Sequence, residues 1–219
     1  MQSIRNVIIA AAGMGNRLGY GIPKCLVEVL GKKIIEYQLD LLKDVPNVRI
    51  VVGYREKQVL EDIKKIRKDI IFVRNPSFKD TTTLQSLYLA TKGLEDSCII
   101  MDGDTIYERE SFNQFMKACE DNVPTIGVTS YISDEPVYAQ VCNDSQYVVG
   151  FSRDIESGFE WANLALIQPS MLANNNTHVY QQLSKYLPMR AIHVKRLEID
   201  TEHDLQVAIK TLNEHPNYV

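Results

Sequence analysis

The sequence predicts an α/β protein built on a three-layer, mostly parallel sheet. Three observations carry that expectation. Strand-length apolar runs alternate with helix-period segments from Val7 to Met101, the pattern of successive βαβ units. The first run, Val7-Ile8-Ile9-Ala10, is apolar at every position, as a strand buried on both faces must be. Finally, 219 residues with 45% apolar content can bury one large core. A single domain over residues 1–219 is therefore expected, with a less regular, β-rich lobe over roughly residues 131–165.

The opening strand runs directly into Ala11-Ala12-Gly13-Met14-Gly15-Asn16-Arg17-Leu18 and then Gly19-Tyr20-Gly21-Ile22-Pro23-Lys24. Glycines and small residues let a backbone turn tightly and bring successive N–H groups close to a ligand. Such N–H groups form a concave anion site, and Arg17 and Lys24 add fixed positive charge. A triphosphate is the guest this loop suits. Gly13-x-Gly15 alone would also fit a plain turn. The loop lacks the Gly-Lys-Ser/Thr of a Walker sequence, and Arg17-Leu18 stands where a dinucleotide fingerprint has its third glycine.

Leu26 to Leu30 alternates briefly and stops at Gly31, and a helix with Ile35, Leu39 and Leu42 on one face ends before Pro46. Val48 to Val52 reads as the second strand, Glu56 to Lys68 as a charged helix with Val59, Ile63 and Ile66 inward, and Ile70 to Val73 as the third strand. Asn75-Pro76 breaks it. A polar loop, Ser77 to Thr83, then enters a helix with Leu84, Leu87, Tyr88, Thr91 and Leu94 on one face. One threonine is accounted for as a helix cap. Thr82, Thr83 and Ser86 together supply more hydroxyl groups than a cap requires, and could read the edge of a nucleobase.

Cys98 to Met101 is the fourth strand and delivers Asp102-Gly103-Asp104. Carboxylates at the end of a buried strand are costly without a cation or strong hydrogen bonds, and in open α/β sheets ligands gather beyond the carboxyl ends of strands. Hard oxygen ligands beside a triphosphate suit Mg²⁺. The plainer reading is a strand-ending Asp-Gly turn. Phe112, Phe115, Met116 and Cys119 mark a core-facing helix, and Pro124 to Tyr131 a further strand. Val137–Val141 and Tyr147–Val149 form a hairpin around Asn143-Asp144-Ser145, and Trp161 to Ile167 resumes strand character. Tyr131, Tyr138 and the single tryptophan, Trp161, suit either a core or a cation–π pocket, and Asn163 could hydrogen-bond an acceptor or a ribose. After the surface loop Asn174-Asn175-Asn176 come a helix carrying Val179, Leu183, Tyr186 and Leu187 and a strand from Ala191 to Leu197. Thr201 and Asp204 form a capping-box start for a closing helix with Leu205, Ala208, Ile209 and Leu212. Asp200 sits at that strand-to-helix junction.

Composition removes several classes. A net charge of −4 without a lysine or arginine block speaks against nucleic acid. No apolar stretch is long enough to span a membrane, and no signal peptide is read at the N-terminus, so a cytoplasmic protein is expected. Cys25, Cys98, Cys119 and Cys142, and the histidines at 178, 193, 203 and 215, are too scattered for a zinc site; reduced, mostly buried thiols are expected.

The string Ala-Ala-Gly-x-Gly-x-Arg-Leu followed by Pro23-Lys24 resembles the signature loop of nucleotidyltransferases that activate sugar phosphates and headgroup phosphates. Within that family the chain is similar to small bacterial cytidylyltransferases such as the phosphocholine enzymes. The resemblance implies a nucleotide-diphospho-sugar transferase fold (GT-A-like, Rossmann-like) with the acceptor pocket in the small lobe, lined by Tyr131, Trp161 and Asn163. It implies nucleotide contacts from Ala11 to Asn16, a pyrimidine-reading segment at Thr82, Thr83 and Ser86, and Asp102 beside the nucleotide. It also implies Mg²⁺ on Asp104 and on Asp200 of Glu198-Ile199-Asp200, with Arg17 and Lys24 as the catalytic cations. The implied reaction is transfer of a cytidylyl group from CTP to a phosphocholine-, aminoethylphosphonate- or phosphoglutamine-like acceptor, with release of pyrophosphate. That places the chain in the synthesis of headgroups or cell-surface polysaccharides.

Two departures keep the base and acceptor open: the short gap between Arg17 and Pro23, and Thr81-Thr82-Thr83 where a phosphocholine enzyme would carry asparagines. Uridylyl transfer to a sugar or inositol phosphate also fits. A glycosyltransferase using Asp102-Gly103-Asp104, or a non-catalytic nucleotide sensor, is disfavoured because Arg17, Lys24 and the aspartates are all retained. No second catalytic domain is expected after the closing helix, and monomer and homodimer fit equally.

Overall fold

A computed structural model describes residues 4–15, 18–130, 133–142 and 146–219. Strand β1 (Asn6–Ala11) lies inside the sheet, with Val7, Ile8 and Ile9 fully buried. A small hairpin follows, β2 (Glu28–Val29) and β3 (Lys32–Lys33). It turns through Leu30 and Gly31 at φ of 52° and 76°, the left-handed pair that a two-residue hairpin requires. Helix α1 (Ile34–Leu41), strand β4 (Asn47–Val52), helix α2 (Glu56–Ile66), strand β5 (Ile71–Arg74), helix α3 (Thr83–Thr91) and strand β6 (Cys98–Asp102) complete the predicted alternation. β1 pairs in parallel with β4 and β6, and β4 with β5.

The second half is less regular. It comprises β7 (Thr105–Tyr107), α4 (Arg109–Ala118), β8 (Thr125–Thr129), β9 (Tyr138–Cys142), β10 (Tyr147–Ser152), β11 (Glu160–Ile167), α5 (Val179–Leu183), β12 (Met189–His193), β13 (Arg196–Glu198) and α6 (Glu202–Glu214). The main sheet has nine strands in the order β5-β4-β1-β6-β11-β8-β12-β10-β9. Beyond β6 it is mixed, because β11 runs antiparallel to both β6 and β8, whereas β12 runs parallel to β8. β9 pairs with β10 and also meets β11 at Tyr138–Glu160, so the far end of the sheet curls back on itself. The turn expected at Asn143-Asp144-Ser145 lies outside the described residues.

Alternate residues of the buried strands face opposite layers. Ile9, Ile50 and Met101 pack with Ile35, Leu39, Ile63, Phe112 and Phe115, while Ile8, Val51 and Ile100 pack with Leu84, Leu87 and Ala90. A third cluster joins the β2–β3 hairpin to α6 through Val29, Ile34, Leu205 and Leu212. No helix among the described residues is long and apolar enough to cross a membrane.

One expected strand differs. Ala191 to Leu197 is not continuous: β12 ends at His193, and β13 leaves the main sheet to pair antiparallel with β7. The chain bends at Val194 and Lys195, where Val194 N–H donates to the Val128 carbonyl (2.7 Å) and the Lys195 carbonyl accepts from Glu108 N–H (3.0 Å). The β7 partner is three residues long, too short to show a period in sequence. The ribbon carries its carboxyl end to the tip of β6, where Ile199 N–H donates to the Asp104 carbonyl at 2.9 Å.

Candidate active site

The carboxyl ends of β1 and β6 meet through glycine. Gly103 N–H donates to the Ala10 carbonyl at 3.0 Å. A Cβ on Gly103 would lie 2.9 Å from that same oxygen and 3.1 Å from Ala11 Cβ, so only a glycine lets the two strand ends close up. The opening loop then folds against Lys24. Gly15 has φ +61°, and a Cβ there would come within 2.5 Å of Lys24 Cγ. Lys24 begins a short 3-10 turn after Pro23, closed by Leu26 N–H on the Pro23 carbonyl and Val27 N–H on the Lys24 carbonyl, each at 2.9 Å.

The Lys24 ammonium sits 3.0 Å from Asp104 Oδ2 and is also ion-paired with Asp200. Ligand oxygens of Asp104, Glu198 and Asp200 lie within 4.8 Å of one another. Asp104 Oδ1 is buried and has no hydrogen-bond partner among the described residues. An orphaned buried carboxylate oxygen in an all-oxygen cluster fits a hard divalent cation, so the acidic triad could hold such an ion. Asp102 stands beside the cluster. Burial, then the nearby charges of Asp104 and Glu198, raise its carboxyl pKa well above the usual range.

Fully buried Gln38 on α1 fixes the turn between the aspartates. Its Nε2 donates to the Asp102 carbonyl (2.6 Å) and to the Thr105 carbonyl (2.7 Å). Glu198 is likewise supported: its Oε1 accepts from Asn163 Nδ2 at 2.8 Å, and its Oε2 from Arg196.

Lys24, Asp102, Asp104, Asn163, Glu198 and Asp200 line one cavity of about 410 Å³, which also reaches Thr82, Thr83, Ser86 and Trp161. Ser86 Oγ accepts from Asn75 Nδ2 at 3.0 Å, which leaves the serine's own proton uncommitted among the described residues. The Thr82 hydroxyl does not cap α3; it donates to the Thr177 carbonyl at 2.7 Å, and Thr82 N–H donates to Asn176 Oδ1 at 3.0 Å. Trp161 is 7% exposed, packs its ring on Phe151 with centroids 6.1 Å apart and donates to the Leu164 carbonyl at 3.3 Å. Of the predicted opening-loop contacts, Ala11, Ala12, Gly13 and Gly15 line the cavity and Met14 does not. Asn16, Arg17 and Tyr131 lie outside the described residues.

Sequence reasoning gave Glu198 no role of its own. The signal was present: in extended chain, residues two apart share a side, so an acid two before Asp200 is placed to join it. The strand assigned to end at Leu197 hid this. Gln38 had no comparable signal, since nothing in an apolar helix announces a bond to a turn far along the chain.

A glycine loop and an acidic centre at the carboxyl ends of parallel strands define a nucleotide-binding α/β scaffold. Residues 7–164 match the MobA-like NTP transferase domain, and the chain belongs to that family. It is 36% identical over 110 residues to a choline-phosphate cytidylyltransferase of Streptococcus pneumoniae, covering 48% of this chain and 47% of that protein. It is 26% identical over 220 residues to the bifunctional protein GlmU of a Cyanothece species, covering 88% of this chain and 48% of that protein. The chain thus spans about half the length of the curated relatives it matches. Its fold is similar to that of the CTP:phosphocholine cytidylyltransferase from Streptococcus pneumoniae, with a TM-score of 0.77 at 22% identity, covering 95% of this chain and 100% of that one. The expected nucleotide-diphospho-sugar transferase fold is the one observed.

Proposed function

We propose that this chain is a Mg²⁺-dependent cytidylyltransferase, which moves the CMP unit of CTP onto a small phosphate or phosphonate acceptor and releases pyrophosphate. The observation that carries this reading is the Lys24 ammonium, held between Asp104 and Asp200 where the opening loop meets the acidic cluster. The choline-phosphate cytidylyltransferase relative supports CTP and a phosphorylated headgroup.

An acceptor oxygen attacks the α-phosphorus, the α–β bridging bond breaks, and its electron pair leaves with pyrophosphate. Such chemistry needs alignment and charge neutralisation more than a covalent nucleophile. Backbone N–H groups from Ala11 to Asn16 and the Arg17 guanidinium hold the β- and γ-phosphates. Lys24 offsets charge at the α-phosphate and the incoming oxygen. Asp104, Glu198 and Asp200 would hold Mg²⁺, which supplies positive charge to phosphate oxygens when bound. The acceptor oxygen is already ionised at neutral pH, so no general base is needed. Ser86, with Thr82 and Thr83, offers hydroxyls to the pyrimidine edge, and Tyr131, Trp161 and Asn163 would take the acceptor.

The test is pyrophosphate release with Mg²⁺, each ribonucleoside triphosphate in turn, and a panel of phosphocholine, 2-aminoethylphosphonate, a phosphorylated amide, inositol 1-phosphate and glucose 1-phosphate. Release with CTP and one headgroup-type acceptor is expected. Release with UTP and a sugar phosphate would replace this reading with uridylyl transfer, and silence with every nucleotide would remove it. Lys24→Ala should cut turnover by about 10²-fold or more, the size of losing one transition-state donor, with an unchanged circular dichroism spectrum. Near-normal turnover in that folded variant would dismiss the assigned role of Lys24.

A further inference from the structure

Arg196 is buried to 1% side-chain exposure, and its guanidinium forks between two carboxylates. Nη2 donates to Glu160 Oε1 at 2.7 Å, and Nη1 donates to Glu198 Oε2. Glu160, itself buried, has its charge spread further: its Oε2 accepts from Ser133 N–H at 2.8 Å and its Oε1 from the Ser133 hydroxyl at 2.9 Å. Glu198 Oε1 is taken by Asn163 Nδ2 at 2.8 Å. Both oxygens of Glu198 are therefore held, one by each supporting side chain. A buried arginine needs a counter-charge to offset its desolvation, and Glu160 alone supplies one. The second arm of the fork reaches an acid of the candidate metal cluster instead.

We infer that Arg196 is a positioning residue: with Asn163 it fixes the Glu198 carboxylate beside Asp104 and Asp200, and through Glu160 it anchors the lobe segment at Ser133 to the same centre. The inference rests on the reading that the acidic triad takes a divalent cation. Groups that orient a ligand carboxylate are generally worth 10- to 100-fold in metal affinity. The planar fork matters because it sets two donors a fixed distance apart, one for each carboxylate, where an ammonium offers a single nitrogen that both must share.

The experiment is Mn²⁺ binding to the full chain, followed by the electron paramagnetic resonance signal of the free ion, with thermal unfolding measured alongside. The informative variant is Arg196→Met with Glu160→Gln. It removes the buried charge pair together, and the glutamine oxygen still accepts from Ser133. The expected result is an unfolding midpoint close to that of the natural chain with Mn²⁺ affinity weakened about tenfold or more, matching Glu198→Gln. If Arg196 were only the counter-charge of Glu160, the double variant would bind Mn²⁺ within about twofold of the natural chain, a result below the range expected of an orienting group, while Glu198→Gln lost affinity; that outcome overturns the inference. Should the double variant fail to fold, Arg196→Lys keeps a charge for Glu160 without the fork, and full affinity there overturns it equally. Unchanged affinity in Glu198→Gln would dismiss the positioning role and leave a cation on Asp104 and Asp200 standing. No Mn²⁺ binding by the natural chain would remove both.

Discussion

At the scale of single residues, the site depends on side chains that hold backbone in place as much as on those that face the cavity. Gln38 spans the turn between Asp102 and Asp104, donating to the Asp102 and Thr105 carbonyls, while its own buried Oε1 accepts no hydrogen bond among the described residues. Gln38→Leu keeps the volume but leaves two buried acceptors without that donor. A loss of about 1–3 kcal/mol is expected, the cost of stranding buried polar groups, read as a lower urea midpoint at pH 7. An unchanged midpoint would show that the two carbonyls do not depend on Gln38. What sequence could reveal divides along the same line. Lys24, Asp104 and Asp200 stood out because they occur in a recognisable string or at a junction where charge is costly. Gln38 and Arg196 did not, because their roles come from partners brought close only by folding.

At the scale of elements, the predicted βα alternation held from β1 to β6 because the inner strands β1, β4 and β6 are dominated by buried apolar residues and the helices between them turn apolar residues onto the sheet. The capping box of α6 was equally legible: Thr201 Oγ1 accepts from Asp204 N–H at 3.2 Å, and Asp204 Oδ2 accepts from Thr201 N–H at 2.8 Å. The β7–β13 ribbon was not legible, since each strand has only three residues and pairs outside the main sheet. Polar contacts that tie elements together were hidden as well. Arg190 on β12 binds both oxygens of Asp121 just beyond α4, at 2.7 and 2.9 Å, and the carbonyl of Ala118 at 2.6 Å. The Arg190 guanidinium holds the Asp121 carboxyl at about 2, below its ordinary 3.8. A depressed folded-state value means the pair stabilises the fold fully above the ordinary range and is lost as pH falls through the folded value. The pair is half-exposed, so Asp121→Asn should cost about 1 kcal/mol or less at pH 7. That deficit should shrink as pH drops from about 4 toward 2. Denaturant titrations of both chains across that range check it; a deficit that grows in acid would contradict the assignment.

At the scale of the whole molecule, the cavity is assembled from both halves of the chain. Lys24, Ser86 and Asp104 come from the parallel half, and Trp161, Glu198 and Asp200 from the mixed half that curls back. The lining is rich in acid, with Asp104, Glu198 and Asp200 gathered around Lys24, in a chain whose net charge is already −4. A triphosphate entering there meets like charge in a partly desolvated space, where repulsion is screened less than in bulk water. Nucleotide binding should therefore be tied to a divalent cation. A ligand that contacts both halves binds only the folded chain, and at about 100 times its dissociation constant it adds about 2.7 kcal/mol to stability. For a chain of this size that is a rise of roughly 5–10 °C in the unfolding midpoint. CTP with Mg²⁺ is expected to give such a shift, and CTP with a chelator only a small fraction of it. Asp104→Asn with Asp200→Asn, which removes two of the negative charges, should narrow the difference between the two conditions. An equal shift with and without Mg²⁺ in the natural chain would mean that the cluster neither repels the nucleotide nor recruits a cation for it.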